Sequence, residues 1–166
     1  KIDTNLDTIP FYKEVEKRVK AINKVKLGNL APEIVTTSTL DNKKFDLKSY
    51  RGKYVLIDFW GIWCGPCVAE MPHVKSFLEK HKDKMEVLGV NSGDSRESVI
   101  AFLKKKGYHW QQVLNVKGTN DDNFVLKFNV SGFPTKFIID PNGKIIKKYT
   151  GKGEDAFAYL EELMKE

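Results

Sequence analysis

The chain has 166 residues, 41% of them hydrophobic and 30% charged, which is enough apolar material for one buried core and argues against a disordered polymer. Lys and Arg number 28 against 22 Asp and Glu, a formal charge of +6; the lysines are spread along the chain, and clusters such as Lys104 to Lys106 lack interleaved aromatics, so a nucleic-acid reader is disfavoured. No run of about 18 apolar residues occurs and the opening stretch KIDTNLDTIPFYKEVEKRV has no apolar signal core, so neither a membrane span nor a leader is read, while the start at Lys1 leads us to expect a processed or trimmed chain.

In chain order, Phe11, Val15, Val19 and Ile22 recur at three- to four-residue spacing and predict an amphipathic helix that stops at Gly28. Residues 1–27 are expected to stand apart, as an N-terminal helical segment, a linker or the tail of an upstream domain, with 28–166 as the main domain. Two short strands follow, Ile34 to Thr39 and Lys44 to Leu47, joined by a turn at Asp41-Asn42. YVLIDFW, Tyr54 to Trp60, is a continuous apolar run with β-branched and aromatic residues, which reads as a strand covered on both faces.

A helix from about Pro66 to His81 comes next, then a second buried strand, Met85 to Asn91. The segment DSRESVIAFLKKKG predicts a helix opened by an Asp94/Glu97 capping box and closed by Gly107. Beyond it lie a short strand near Gln112 to Leu114, a helix from Asp121 to Phe128, and a hairpin about Pro141-Asn142-Gly143. The last segment is an amphipathic helix with Phe157, Leu160 and Leu163 on one face. Strands alternating with helices and finished by an antiparallel hairpin predict an α/β domain, a mixed sheet with helices on both faces.

The two cysteines, Cys64 and Cys67, stand in DFWGIWCGPCVAEMP with Gly65 and Pro66 between them. A tetrahedral zinc site needs about four ligands, and there is no second cysteine pair, while His73, His81 and His109 lack the usual spacing. As a staple, a bridge across a two-residue gap constrains almost no loop. Thiol exchange suits the spacing better: one thiolate attacks a substrate disulfide, and a second thiol two residues away displaces the product. Cys64, at the strand end with a helix starting at Pro66, faces the positive helix terminus, which favours thiolate and brings a cysteine down to about 7 or below. It is the expected nucleophile, and Cys67, inside the first turn, the less exposed partner. Pro66 fits that first turn, where no intrahelical donor is lost.

FWGIWCGPC resembles the active-site motif of thioredoxins. The layout from Gly28 onward is similar to the extracytoplasmic TlpA/ResA-like thiol–disulfide oxidoreductases, with the APEI hairpin prefix, the CVAEMP continuation and an insertion before the GFPT loop. The resemblance implies a thioredoxin-like fold with an N-terminal β-hairpin extension. It also implies an attacking thiol at Cys64 and a resolving thiol at Cys67, with no cofactor beyond their redox-active disulfide. Asp58, a carboxylate in an apolar strand, matches the buried acid that takes the resolving thiol's proton; many members of this branch carry an uncharged residue there, and simple pairing with a neighbour stays open. Glu70, three residues past Cys67 and on the same helix face, matches a candidate tuner or proton relay, or is an ordinary first-turn acid.

Pro134 matches the cis-proline that faces the thiols, with the Phe133 backbone offered to an extended substrate; a trans proline at a strand start is the alternative. Trp63, with Gly65 and Pro66, shapes the rim, while Trp60, Phe59, Met71 and Phe137 read as packing, His73 as surface, and Pro72 as a kink in its helix. A thiol peroxidase of peroxiredoxin type would carry Thr where this chain has Gly61, and a non-catalytic thioredoxin-fold module would have lost a cysteine; both are the weaker readings. The expected partners are disulfide-containing proteins and an upstream, membrane-associated thiol reductant, with the chain extracytoplasmic and monomeric. Gly65-Pro66 and Asp58 point toward reduction; cytochrome c maturation and general disulfide repair are the two pathways the resemblance offers.

Overall fold

Side chains of a strand alternate between faces, and β3 (Tyr54–Trp60) uses both: Val55, Ile57 and Phe59 enter one apolar cluster, Leu56 and Trp60 the other. The computed structural model describes residues 10–118, 121–151 and 154–165. Parts of the expected terminal segments, residues 1–9 and Glu166, lie outside them. The chain runs α1 (Pro10–Lys24), β1 (Val35–Thr36), β2 (Phe45–Asp46), a 3-10 turn (Leu47–Tyr50), β3, α2 (Gly65–His81), β4 (Met85–Asn91), α3 (Arg96–Lys106), β5 (Gln111–Leu114), α4 (Phe124–Lys127), β6 (Thr135–Ile139), β7 (Ile145–Thr150) and α5 (Glu154–Lys165). The main sheet is ordered β5-β4-β3-β6-β7. β3 pairs in parallel with β4 and antiparallel with β6, so the strand that leads to the cysteines is central and held on both edges.

Each face carries its own core. Ile34, Phe45, Leu88, Val90, Phe124, Phe128, Phe137 and Ile139 fill the first, under the hairpin and α4; Cys67, Met71, Val74 and Phe77 of α2 join Val99, Leu103, Ile138 and Leu160 in the second. Helices therefore cover both faces, as the alternation of elements predicts.

Four expectations change in detail. The prefix hairpin is shorter than read: Val35 pairs with Asp46 and Thr36 with Phe45, after which Thr39 bridges to Val113 instead and Asp46 turns its carboxylate to the Lys48 amide, capping the 3-10 turn. The cap of α3 is Ser95, whose hydroxyl accepts from the Ser98 amide, because Asp94 is engaged elsewhere; Gly107, at φ 68°, does close the helix. The helix read over Asp121 to Phe128 contracts to α4, with Asn123 accepting from the Leu126 amide at its start. On α1, Phe11, Val15, Val19 and Ile22 are exposed, and the buried residues of this segment are Ala21 on the helix and Val25 just past its end. α2 runs unbroken to His81 with Pro72 in its interior.

Candidate active site

β3 ends at Trp60, and the next residues lead into α2 through a loop held by the segment that follows β4. The Asp94 carboxylate accepts from the Ile62 amide at 2.7 Å and from Asn91 Nδ2 at 2.8 Å. Trp63 Nε1 donates to the Ser92 carbonyl at 2.9 Å, and the Ser92 amide donates to the Trp60 carbonyl at 3.0 Å. The Trp63 indole lies against Gly61, where an added Cβ would sit 2.3 Å from Nε1, so only glycine leaves room for it. Trp63 stays 58% exposed, edge-on to Phe133 at 5.2 Å between ring centroids, whereas Trp60 is fully buried with Nε1 donating to Gln112. The loop after β4 thus sets the pose of the tryptophan beside Cys64.

Cys64 is the N-cap of α2 and is disulfide-bonded to Cys67. Its sulfur also accepts from the Cys67 amide at 3.3 Å, which puts it at the electropositive helix end, with Pro66 in the first turn. Both sulfurs are sheltered, Cys64 at 5% exposure and Cys67 at 1%, in the order expected from their helix positions. Across from them the Phe133–Pro134 peptide is cis, and Pro134 is buried with its carbonyl accepting from the Gly151 amide at 2.9 Å. Phe133 packs against the cluster that holds Cys64 and Cys67 and against Trp63, so two distant stretches of chain, the one with Trp63, Gly65 and Pro66 and the one with Phe133 and Pro134, come together beside the disulfide through that ring.

Beneath the pair lies a charged cluster. Asp58 shares the face of β3 that carries Leu56 and Trp60, toward α2, and is 2% exposed. Directly opposite it in register on β6 stands Lys136, 1% exposed. Lys136 Nζ donates to Glu70 Oε2 at 2.5 Å and forms an ion pair with Asp58 Oδ1 at 3.2 Å; that oxygen accepts no well-formed hydrogen bond among the described residues. Burial raises the Asp58 carboxyl above the usual range, with Lys136 opposing and the Glu70 charge adding to the rise. Burial pulls the Lys136 ammonium down, but the two carboxylates outweigh it and hold the group above the usual lysine value. Lys136 thus holds its proton more tightly than a free lysine, and Asp58 more tightly than a free carboxyl.

Asp58 and Glu70 were legible as candidates; Lys136 was not singled out. The signal existed, since a lysine in the apolar run TKFII is as anomalous as an aspartate in YVLIDFW, and alternation puts Lys136 with Ile138 on the α2 side. Asp94 was assigned to a helix cap, and it anchors the Cys64 loop instead. His73 is exposed on α2, its ring edge-on to Phe157 at 6.1 Å. Among the described residues no group of three or more His, Cys, Asp or Glu side chains is placed to hold a metal, and no helix is long and apolar enough to cross a membrane.

The surrounding sequence is similar to known proteins over nearly its whole length. Residues 26–163 match the Redoxin family. Among curated relatives, the thiol-disulfide oxidoreductase ResA of Bacillus thuringiensis subsp. konkukian is 34% identical over 143 residues, 86% of this chain and 79% of that protein. ResA of Bacillus subtilis (strain 168) is 35% identical over 125 residues, covering 75% and 67%. Among solved structures, the thioredoxin domain of a thiol-disulfide oxidoreductase from Bacteroides vulgatus superposes with a TM-score of 0.73 at 28% identity, over 84% of this chain and 98% of that one. A thiol:disulfide interchange protein from a Bacteroides species gives 0.73 at 28% identity, over 86% and 93%. The fold is thioredoxin-like, as the resemblance implied.

Proposed function

The chain belongs to the Redoxin family and is a thiol–disulfide oxidoreductase, and from that premise we propose that it reduces protein disulfides, with Cys64 attacking and Cys67 resolving. One observation carries the division of labour: Cys64 caps α2 at the open side beside Trp63, while Cys67 is the deeper partner. In the working direction the Cys64 thiolate attacks a substrate disulfide. A Cys64–substrate bond forms, and one substrate thiolate leaves. Cys67 then loses its proton and attacks Cys64 Sγ. The mixed disulfide breaks, the Cys64–Cys67 bond forms, and the second substrate thiolate departs, so two electrons pass from the dithiol to the substrate.

The direction is supported by Gly65-Pro66, the dipeptide of a reducing thioredoxin site, whose potential lies near about −270 mV. Substrate binding is supported by the exposed Trp63, the Phe133 ring beside it and the cis peptide that precedes β6, which together suit an extended segment laid against the Phe133 backbone. The partners are then proteins with accessible disulfides on one side and an upstream thiol donor on the other, with the chain acting outside the cytoplasm, where disulfides persist.

Two measurements test this. Cys64→Ser is expected to abolish reduction of a peptide disulfide, and Cys67→Ser to accumulate a mixed disulfide visible by mass; turnover by the first variant, or no adduct with the second, overturns the assignment. Equilibration in dithiothreitol or glutathione buffers is expected to give a potential near about −270 mV, and a value near about −120 mV, that of a strong oxidant, would reverse the direction.

A further inference from the structure

Two carboxylates meet the Lys136 ammonium under α2, each group from a different element: Asp58 from β3, Glu70 from α2 one turn past Cys67, Lys136 from β6 two residues past the cis-proline. Asp58 and Lys136 are almost closed to water, where a charge without a partner is costly. Both carboxylates lie within reach of the same Nζ, so a change at one alters the ion pair that the other makes.

We propose that Lys136 is a positioning residue that joins Asp58 and Glu70 into one shared proton site serving Cys67. The inference rests on the reading that Cys67 resolves the mixed disulfide. Cys67, Trp60, Met71 and Ile138 lie in one cluster on the same side of the sheet; Trp60 and Ile138 are same-face neighbours of Asp58 and Lys136 along their strands, and Met71 follows Glu70 on α2. In the resolving step the Cys67 thiol gives its proton to the carboxylate pair, and its thiolate attacks Cys64 Sγ. The Cys64–substrate bond breaks, and the departing thiolate collects a proton from solvent or from the pair. Electrons and protons balance without any group besides the two cysteines, the substrate and the cluster.

Among the described residues, charged and titratable groups face Lys136 from three elements. Asp58 faces it from β3 and Glu70 from α2. Tyr149 stands opposite it in register on β7, its phenol raised above its usual value by burial first and then by Asp155, Tyr159 and Glu162 of α5. Tyr149 ionises only in the alkaline range, so at neutral pH it takes no part in the transfer of the Cys67 proton. Lys136 does one thing more: being on the strand that begins at the cis-proline, it ties the substrate-facing loop to the acids below the thiols.

The test is the pH profile of resolution, read as release of the second product thiol from a pre-formed Cys64–peptide mixed disulfide. Lys136→Met is expected to slow release about tenfold near pH 7, the effect of roughly one pKa unit on deprotonation of Cys67, with the deficit closing toward pH 9 where the thiol ionises unaided. Asp58→Asn and Glu70→Gln are expected to be non-additive, the double variant being little slower than the worse single one, and Lys136→Arg to recover part of the rate. A deficit equal at every pH, which a structural role alone would give, overturns the proposal, as do single effects that multiply. Should Lys136→Met fail to fold, the Asp58/Glu70 cycle and Lys136→Arg decide the matter. Normal turnover by Cys67→Ser would sink the resolving reading itself; a trapped adduct together with an unchanged pH profile would sink only the role of Lys136.

Discussion

Asp58 and Lys136 face each other across adjacent strands, each in a setting that would exclude it alone. A lone carboxylate or ammonium at that depth would shed its charge, and the pair persists because each supplies the other's counter-ion. The linkage has a definite sign. The folded Asp58 carboxyl binds its proton more tightly than the unfolded one, whose value is about 3.9, so stability falls as pH rises from about 4 through the raised folded value. Asp58→Asn is expected to flatten this fall, seen as a smaller change in the denaturation midpoint of the oxidised protein between pH 4 and 8; an unchanged slope would place its origin elsewhere. Lys136 works oppositely: its ammonium stabilises at neutral pH and below, and that contribution is lost as pH rises past about 10.4 through its raised value. Lys136→Met leaves the buried Asp58 without its counter-ion and is expected to cost about 3–5 kcal/mol in urea unfolding at pH 7.

At the scale of elements, the loop between β3 and α2 is held by the loop that follows β4, through Asp94, Ser92 and the Trp63 indole. Gly61→Ala would drive a methyl into that indole and break its bond to the Ser92 carbonyl. The expected result is a shifted tryptophan emission and a KM for a disulfide peptide raised about fivefold, the worth of one hydrogen bond near 1 kcal/mol, with little change in the alkylation rate of Cys64. Unchanged emission and KM would show that the indole tolerates the methyl. Elements with strong periodicity were legible: β3, α2, β4 and the closing hairpin all lie where the apolar runs and turn residues put them. What the sequence hid was pairwise. Nothing in a linear reading says that Thr39 will leave its hairpin for Val113, or that Asp94 will prefer the Ile62 amide to a helix cap, because those choices depend on strands brought together only by the fold. For the same reason Asp58 was readable as an acid in need of a partner, while the partner itself was not.

For the whole molecule, the Redoxin match begins at residue 26, and before it the buried hydrophobic residues among those described are Ala21 of α1 and Val25 just past its end. A protein of residues 28–166 is therefore expected to fold and to reduce disulfides, losing about 1–3 kcal/mol for the two buried side chains, as measured by denaturant unfolding beside the full chain. Loss of cooperative unfolding would make α1 part of the domain instead. The site also has a history in time. Glu70 and Lys136 are 66 positions apart. Cys64 and Cys67 stand 72 and 69 positions before Lys136, so at synthesis rates of about 5–20 residues per second they precede their lysine by roughly 3–14 s. During that interval a nascent chain holds two reactive sulfurs and an aspartate whose strand is still open on its β6 edge, so the thiols exist before the device that governs their protons. Oxidation of the pair in that window would proceed under different rules from those of the finished enzyme.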